Sequence, residues 1–182
     1  MDDDADIALV ERFRAGDKEA FTELVVKYQR PIYNAAFWIL RKAEDANDVA
    51  QVVFLKVAER LDDYDPRYRF FSWIYRIAVN ESLNLLRRNG REEALDDDVD
   101  LPGSDRADPE TLASDAEFSR RIQVALMKMK PNDRIVLTLR HFSECSYQEI
   151  GQILDLDEKT VKSRLFEARH RLRLLLADLR IQ

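Results

Sequence analysis

The stretch "SYQEIGQILDLDEKTVKSRLFEAR", residues 146–169, reads as two short helices joined by a tight turn. Ser146 and Glu149 have the S-x-x-E spacing of a capping box, in which each side chain satisfies a backbone N–H left open at a helix start. Asp157 stands where an N-cap would begin the second helix, and a negative charge is favourable there. In that helix Val161, Leu165, Ala168 and Leu172 form one apolar stripe, which leaves Lys159, Lys162, Ser163, Phe166 and Glu167 on the outer face. This pattern is that of a helix–turn–helix whose second helix enters the major groove of DNA, although a plain helical hairpin shares it. The acids Asp155, Asp157 and Glu158 do not argue against DNA, because turning and capping account for them.

Outward from this unit the chain stays periodic. On the C-terminal side follows the basic run "RHRLRLLLADLR". On the N-terminal side, a helix ending near Met129, a break at Lys130-Pro131 and a helix to about Phe142 complete a second module, residues 117–182. Residues 91–116 are an acidic linker with little apolar content, and fully extended these roughly 26 residues span about 85 Å. Two readings of it stay open: a solvated tether, or an acidic strand lying in a channel built for nucleic acid.

Residues 1–90 read as four helices. The first carries Ile7, Val10, Phe13 and Arg14 and ends at Gly16, after which Asp17 caps the second. The second runs from Lys18 to Leu40, with Pro31 expected to kink or restart it. The third, about Ala43 to Leu61, buries Val49, Val53, Val57 and Leu61 and carries Asp45, Asp48, Gln51 and Glu59 on the other face. The fourth, about Ser72 to Arg88, turns Ile74, Ile77, Ala78 and Leu85 inward and aligns Arg76, Asn80, Asn84 and Arg87 outside. Before and within it, Tyr64, Tyr68, Phe70, Phe71, Trp73 and Tyr75 mix with Arg67 and Arg69. Aromatics at this spacing commonly build a core. With arginines and amides they also make what single-stranded nucleic acid requires, since bases stack on rings and phosphates meet guanidinium groups. The expected class is therefore all-α: two small helical domains joined by an acidic flexible linker.

Composition agrees. The 182 residues are 46% hydrophobic with four glycines and five prolines, enough to bury a core. The net charge of −6 is unevenly spread: residues 1–90 carry −2, residues 91–118 carry −9 and residues 119–182 carry +5, so the basic charge concentrates where DNA binding is expected. A single cysteine, Cys145, suits a reducing cytoplasm, the acidic "MDDDAD" start is unlike a secretory signal, and no apolar run reaches the roughly 20 residues a bilayer requires. His141 with Cys145 is two ligands short of a zinc site, and there is no phosphate loop or catalytic triad in the sequence, so neither an enzyme nor a cofactor or metal is expected.

The segments "GDKEAFTELVVKYQRPIY", "AEDANDVAQVVFLKV", "FFSWIYRIAVNESLNLLRR", "RIVLTLRHFSECSYQEIGQIL" and "KTVKSRLFEARHRLR", in this order around an acidic linker, resemble the extracytoplasmic-function sigma factors, the small two-domain group of the sigma-70 family. The resemblance implies a bacterial sigma factor whose partners are core RNA polymerase, promoter DNA and an anti-sigma factor, working in the cytoplasm, on the nucleoid when active, with no direct membrane insertion. It implies a third helix that docks on the clamp helices of the polymerase largest subunit through Asp45, Asp48, Gln51 and Glu59. Single-stranded minus-ten DNA would meet Tyr64, Arg67, Tyr68, Arg69, Arg76, Asn80, Asn84 and Arg87. Duplex minus-thirty-five DNA would meet Lys159, Thr160, Lys162, Ser163, Phe166, Glu167 and Arg169. The resemblance also favours the channel reading of the linker. The sequence departs from the family at Glu144, Asp155 and Lys159, where glycine is common, at Gly151, where alanine is common, and at Glu167, where a basic residue is common. Glu167 has two readings: it accepts from cytosine, or it pairs with Arg164, Arg171 or another nearby base. The alternative function is a polymerase-independent helix–turn–helix regulator with an N-terminal sensor or dimerisation domain.

Overall fold

The computed structural model describes residues 3–89 and 121–178, so the linker expected at 91–116 lies outside the described residues. The N-terminal module consists of α1 (Asp3–Arg14), α2 (Lys18–Leu40), α3 (Ala43–Glu59), a 3₁₀ turn (Leu61–Asp63) and α4 (Phe70–Asn89). The C-terminal module has α5 (121–127), α6 (Pro131–His141), α7 (Tyr147–Leu154) and α8 (Glu158–Asp178). No strand occurs among the described residues, and none of their helices is long and apolar enough to cross a membrane.

The helix starts follow the local chemistry. Asp17 accepts from the N–H groups of Glu19 and Ala20, and Gly16 before it takes φ +96°, a value that few residues other than glycine adopt. The helix α2 does not restart at Pro31. Proline removes one backbone bond there, but Tyr28, Ile32, Ala35 and Ala36 on either side are buried and hold the helix through it. Two boundaries differ from the expected ones. The third helix ends at Glu59, and Leu61, expected on its inner face, is instead buried from the 3₁₀ turn; the fourth begins two residues early, at Phe70.

Tyr28, Phe37, Phe70, Ile74 and Tyr75 form the centre of the first core, each nearly or wholly inaccessible. A side chain of that size contributes about 1.5–3 kcal/mol when fully buried. Asp6 is also wholly buried, and is held there by the Tyr28 hydroxyl at 2.5 Å and by an ion pair with Lys27. Arg14 reaches from α1 to donate to the carbonyls of Leu61 (2.7 Å) and Tyr64 (2.8 Å), which pins the segment leading into α4.

The second core gathers Leu126, Ile135, Leu139, Ile150, Val161, Leu165 and Ala168, with Leu172 partly buried against it. The two modules also touch each other. The helix α4 lies along α7, and α2 meets α6, where Trp38 stacks on Phe142 with ring centroids 3.8 Å apart.

Candidate nucleic-acid interface

The helix–turn–helix is built as its local sequence dictates. Ser146 Oγ accepts from the Glu149 N–H (3.2 Å) while the Glu149 carboxylate accepts from the Ser146 N–H (2.7 Å). At the turn Asp155 takes the left-handed conformation, φ 56° and ψ 53°, which a short polar side chain tolerates. Glu144 also has positive φ, so both of these non-glycine residues sit in glycine-like geometry. Asp157 then caps α8: its carboxylate accepts from the Thr160 N–H at 2.8 Å and the Thr160 hydroxyl at 2.7 Å. These bonds from Thr160 hold the Asp157 carboxyl below the usual carboxylate range.

Gly151 is required by the turn itself. A Cβ there would stand 2.6 Å from the Leu156 carbonyl oxygen, and Leu156 donates back to the Gly151 carbonyl at 2.9 Å. The chain after the turn thus passes too close to α7 for alanine.

On α8, Lys159, Lys162, Ser163, Phe166, Glu167 and Arg169 are exposed together, Phe166 at 74%. Thr160 is only partly exposed, and its hydroxyl belongs to the cap. Glu167 pairs with Arg171 one turn on, at 3.1 Å, and Arg171 also binds Asp133. Lys162 lies 3.5 Å from Glu158 and 5.6 Å from the centre of the Tyr147 ring. Arg169 donates through Nε to His141 Nε2 at 3.2 Å, and burial, Arg169 and Arg140 together lower the His141 pKa. Burial pushes the neighbouring Cys145 thiol up to about 12.

The residues expected to meet single-stranded DNA divide into two groups. Arg76, Asn80, Asn84 and Arg87 form an exposed row along α4, with Tyr68 exposed nearby. Arg67 is exposed but bound to Asp65 at 2.6 Å, and its hydrogen bonds keep the Asp65 carboxyl low. Tyr64 belongs to the core: it is 3% exposed, packs edge-on against Phe70 and donates its hydroxyl to the Tyr68 carbonyl at 2.8 Å. Its ring face is not open to a base. Arg69 is half-buried and pairs with Glu149 of the other module.

On α3, Asp48, Gln51 and Glu59 are exposed, whereas Asp45 is largely shielded beside Lys42. Next to them a groove of about 700 Å³ runs between α2 and α3, lined by Phe21, Val25, Tyr33, Ala50, Phe54 and Leu55. Leu55 is 62% exposed at its edge. The periodicity marked α3 as amphipathic but did not reveal this groove, whose signal is the second apolar row of Ala50, Phe54 and Leu55 on the acidic side.

No local pattern in the sequence signals the contacts between the modules. Besides the Arg69–Glu149 pair, Ser72 Oγ donates to Gln152 Oε1 at 2.8 Å and Arg76 lies 3.4 Å from Asp155.

Comparison with known proteins follows the same division. Residues 24–92 match the family Sigma-70 region 2, and residues 119–172 match Sigma-70, region 4. The chain is 31% identical over 179 residues to ECF RNA polymerase sigma factor SigW of Bacillus subtilis, covering 93% of this chain and 96% of that protein. It is 35% identical to the ECF RNA polymerase sigma-E factor of Escherichia coli, covering 90% of each. Among solved structures, CnrH in complex with the cytosolic domain of CnrY superposes with a TM-score of 0.74 at 27% identity, over 96% of this chain and 98% of that one. The sigma factor RpoE in complex with the anti-sigma factor NepR from Bartonella quintana shares the fold, with a TM-score of 0.71 at 22% identity over 86% of this chain and 96% of that one.

Proposed function

Since the chain belongs to the extracytoplasmic-function RNA polymerase sigma factors of the sigma-70 family, a group of polymerase-binding initiation factors rather than enzymes, we propose how its surfaces divide the work of promoter-specific initiation. The α2–α3 groove, with Asp48, Gln51 and Glu59 beside it and Asp45 at its margin, takes the clamp helices of the polymerase largest subunit. A largely apolar groove, with Gln29, Arg30, Asn47 and Gln51 in its lining and the exposed acids Asp48 and Glu59 on the same helix as Gln51, suits an amphipathic helical partner. The row Arg76, Asn80, Asn84 and Arg87, with Arg67, Tyr68 and Arg69 at its N-terminal end, takes the unpaired minus-ten strand, guanidinium groups on phosphate and amides on base edges. The outer face of α8 takes the minus-thirty-five duplex. Lys159, Lys162 and Arg169 serve phosphate or guanine, Ser163 and Phe166 lie against base edges, and Thr160 orients the helix start through its cap. Tyr64 supports this surface from below and makes no DNA contact.

The observation that carries the reading is the presence of two separate basic-and-polar faces on one chain, on α4 and on α8. A factor that only bound duplex DNA would need the second alone, and family membership does not favour the polymerase-independent regulator. On this reading the protein acts in the cytoplasm at the nucleoid, the acidic linker threads the polymerase channel, and an anti-sigma factor is a further partner. The test is gel filtration with core RNA polymerase. The parent should co-elute with core, and Asp48→Arg should not, while the variant's stability stays within about 0.5 kcal/mol of the parent because the site is exposed. Equal co-elution of both proteins would remove α3 from the polymerase interface.

A further inference from the structure

Within the C-terminal module, α5, α6 and α8 enclose a groove of about 510 Å³ that shares only Arg169 with the surfaces assigned above. We propose that it binds a single-chain amphiphilic anion, a free fatty acid, with the carboxylate at one end and the acyl chain laid along α8. The α8 wall consists of Arg169, Leu172, Arg173, Leu176 and Ala177. Their spacing is that of one helix face, which extends over about 12 Å. The two arginines take the N-terminal half of this face, and His141 of α6 meets Arg169 there. Leu176 and Ala177 take the other half, and the rest of the lining, Ile122, Leu126, Leu137 and Phe142, is apolar. No Asp or Glu lines the groove among the described residues.

The two halves decide the kind of occupant. Arg169 spends Nε on His141 Nε2 at 3.2 Å, which leaves its two terminal nitrogens open, and Arg173 is exposed with no ion pair among the described residues. A carboxylate at this end meets two guanidinium groups, whose planar forks suit it. Beyond them the walls offer no polar partner, so a second charge on the ligand would lose its hydration there unanswered. One anionic head and one apolar chain satisfy both halves. The chain as a whole carries −6, so an anion is held here by local charge, against the overall field. The Arg169–His141 bond also bridges α8 and α6 at the basic end, which suits a ligand that terminates there better than a partner helix that would have to run through. Resting on the assignment of Arg169 to the minus-thirty-five duplex, occupancy of the groove withdraws this arginine from DNA, and duplex affinity falls as the fatty acid rises.

The experiment is calorimetric titration of the full-length protein with laurate and with dodecyltrimethylammonium, each below its micelle concentration. One laurate should bind per chain, and the cation of equal chain length should bind about tenfold more weakly or less, because its head is repelled by the two arginines. Arg173→Glu reverses charge at an exposed position and should weaken laurate about threefold to tenfold without disturbing the fold. Leu176→Glu sets a carboxylate where the acyl chain lies and should weaken it by about tenfold or more. Leu55→Glu, in the α2–α3 groove, should leave laurate binding as it is. Equal binding of the two amphiphiles, no binding of laurate, or a loss with Leu55→Glu in place of Leu176→Glu would each overturn the site. A second titration, with labelled random-sequence duplex DNA, separates the premise. Saturating laurate should weaken the parent's duplex binding by about threefold, the effect of one withdrawn contact, and should weaken Arg173→Glu less at the same concentration. Bound laurate with unchanged duplex affinity would overturn the assignment of Arg169 to DNA and leave the fatty-acid site standing.

Discussion

Gly151 has little freedom to change. Its missing Cβ lets the Leu156 carbonyl approach to where a methyl would stand at 2.6 Å, so Gly151→Ala should destabilise the protein by about 1–3 kcal/mol and be seen as a lower urea midpoint with unchanged slope. Glu167 is set by a different neighbour. It already pairs with Arg171, so Glu167→Arg should raise affinity for duplex DNA nearly uniformly across single-base promoter variants, with a steeper salt dependence. A changed preference at one base position, found by titrating those variants at two salt concentrations, would instead assign it to base readout. Asn80 is exposed on the α4 row and should matter only after strand separation. Asn80→Ala should reduce permanganate reactivity of the start-site bubble while leaving minus-thirty-five binding intact; normal reactivity would move base reading elsewhere on the helix.

At the scale of elements, the helix–turn–helix depends on its caps. Ser146→Ala removes one half of the capping box and should cost about 1 kcal/mol, measured by thermal unfolding. Asp157 adds a pH dependence of known sign. Its folded-state pKa is lowered by Thr160, so its contribution is fully present above the ordinary Asp value of about 3.9 and is lost as pH falls through the folded value. Asp157→Asn should flatten that part of the acid-unfolding curve. These caps were legible in the sequence because every partner lies within three residues. The apolar stripes of α3 and α8 are legible for the same reason, since 3.6-residue periodicity is local. What depended on distant partners was not legible. Tyr64 reads in the sequence as a stacking platform, whereas in the structure Phe70, Trp73 and Arg14 pack around its ring. Arg69 looked free for DNA, yet its partner Glu149 is 80 residues away.

The whole molecule is two modules whose proposed functional faces lie on different helices, and its division into them is readable from the charge pattern, with the acidic stretch separating two periodic segments. Their packing was not readable, because Trp38, Phe142, Arg41 and Arg134 carry no local pattern that pairs them. The claim that organises all these surfaces is that the chain gives core RNA polymerase its promoter choice. Its most direct measurement is in vitro transcription of a genomic fragment library by core polymerase with and without the full-length protein, followed by sequencing of the transcribed fragments. The account predicts a set of fragments transcribed only when both are present, sharing an upstream element and a downstream element spaced for α8 and α4 on one holoenzyme. If core alone transcribes the same set, or the protein captures those fragments equally well without core, the account is contradicted.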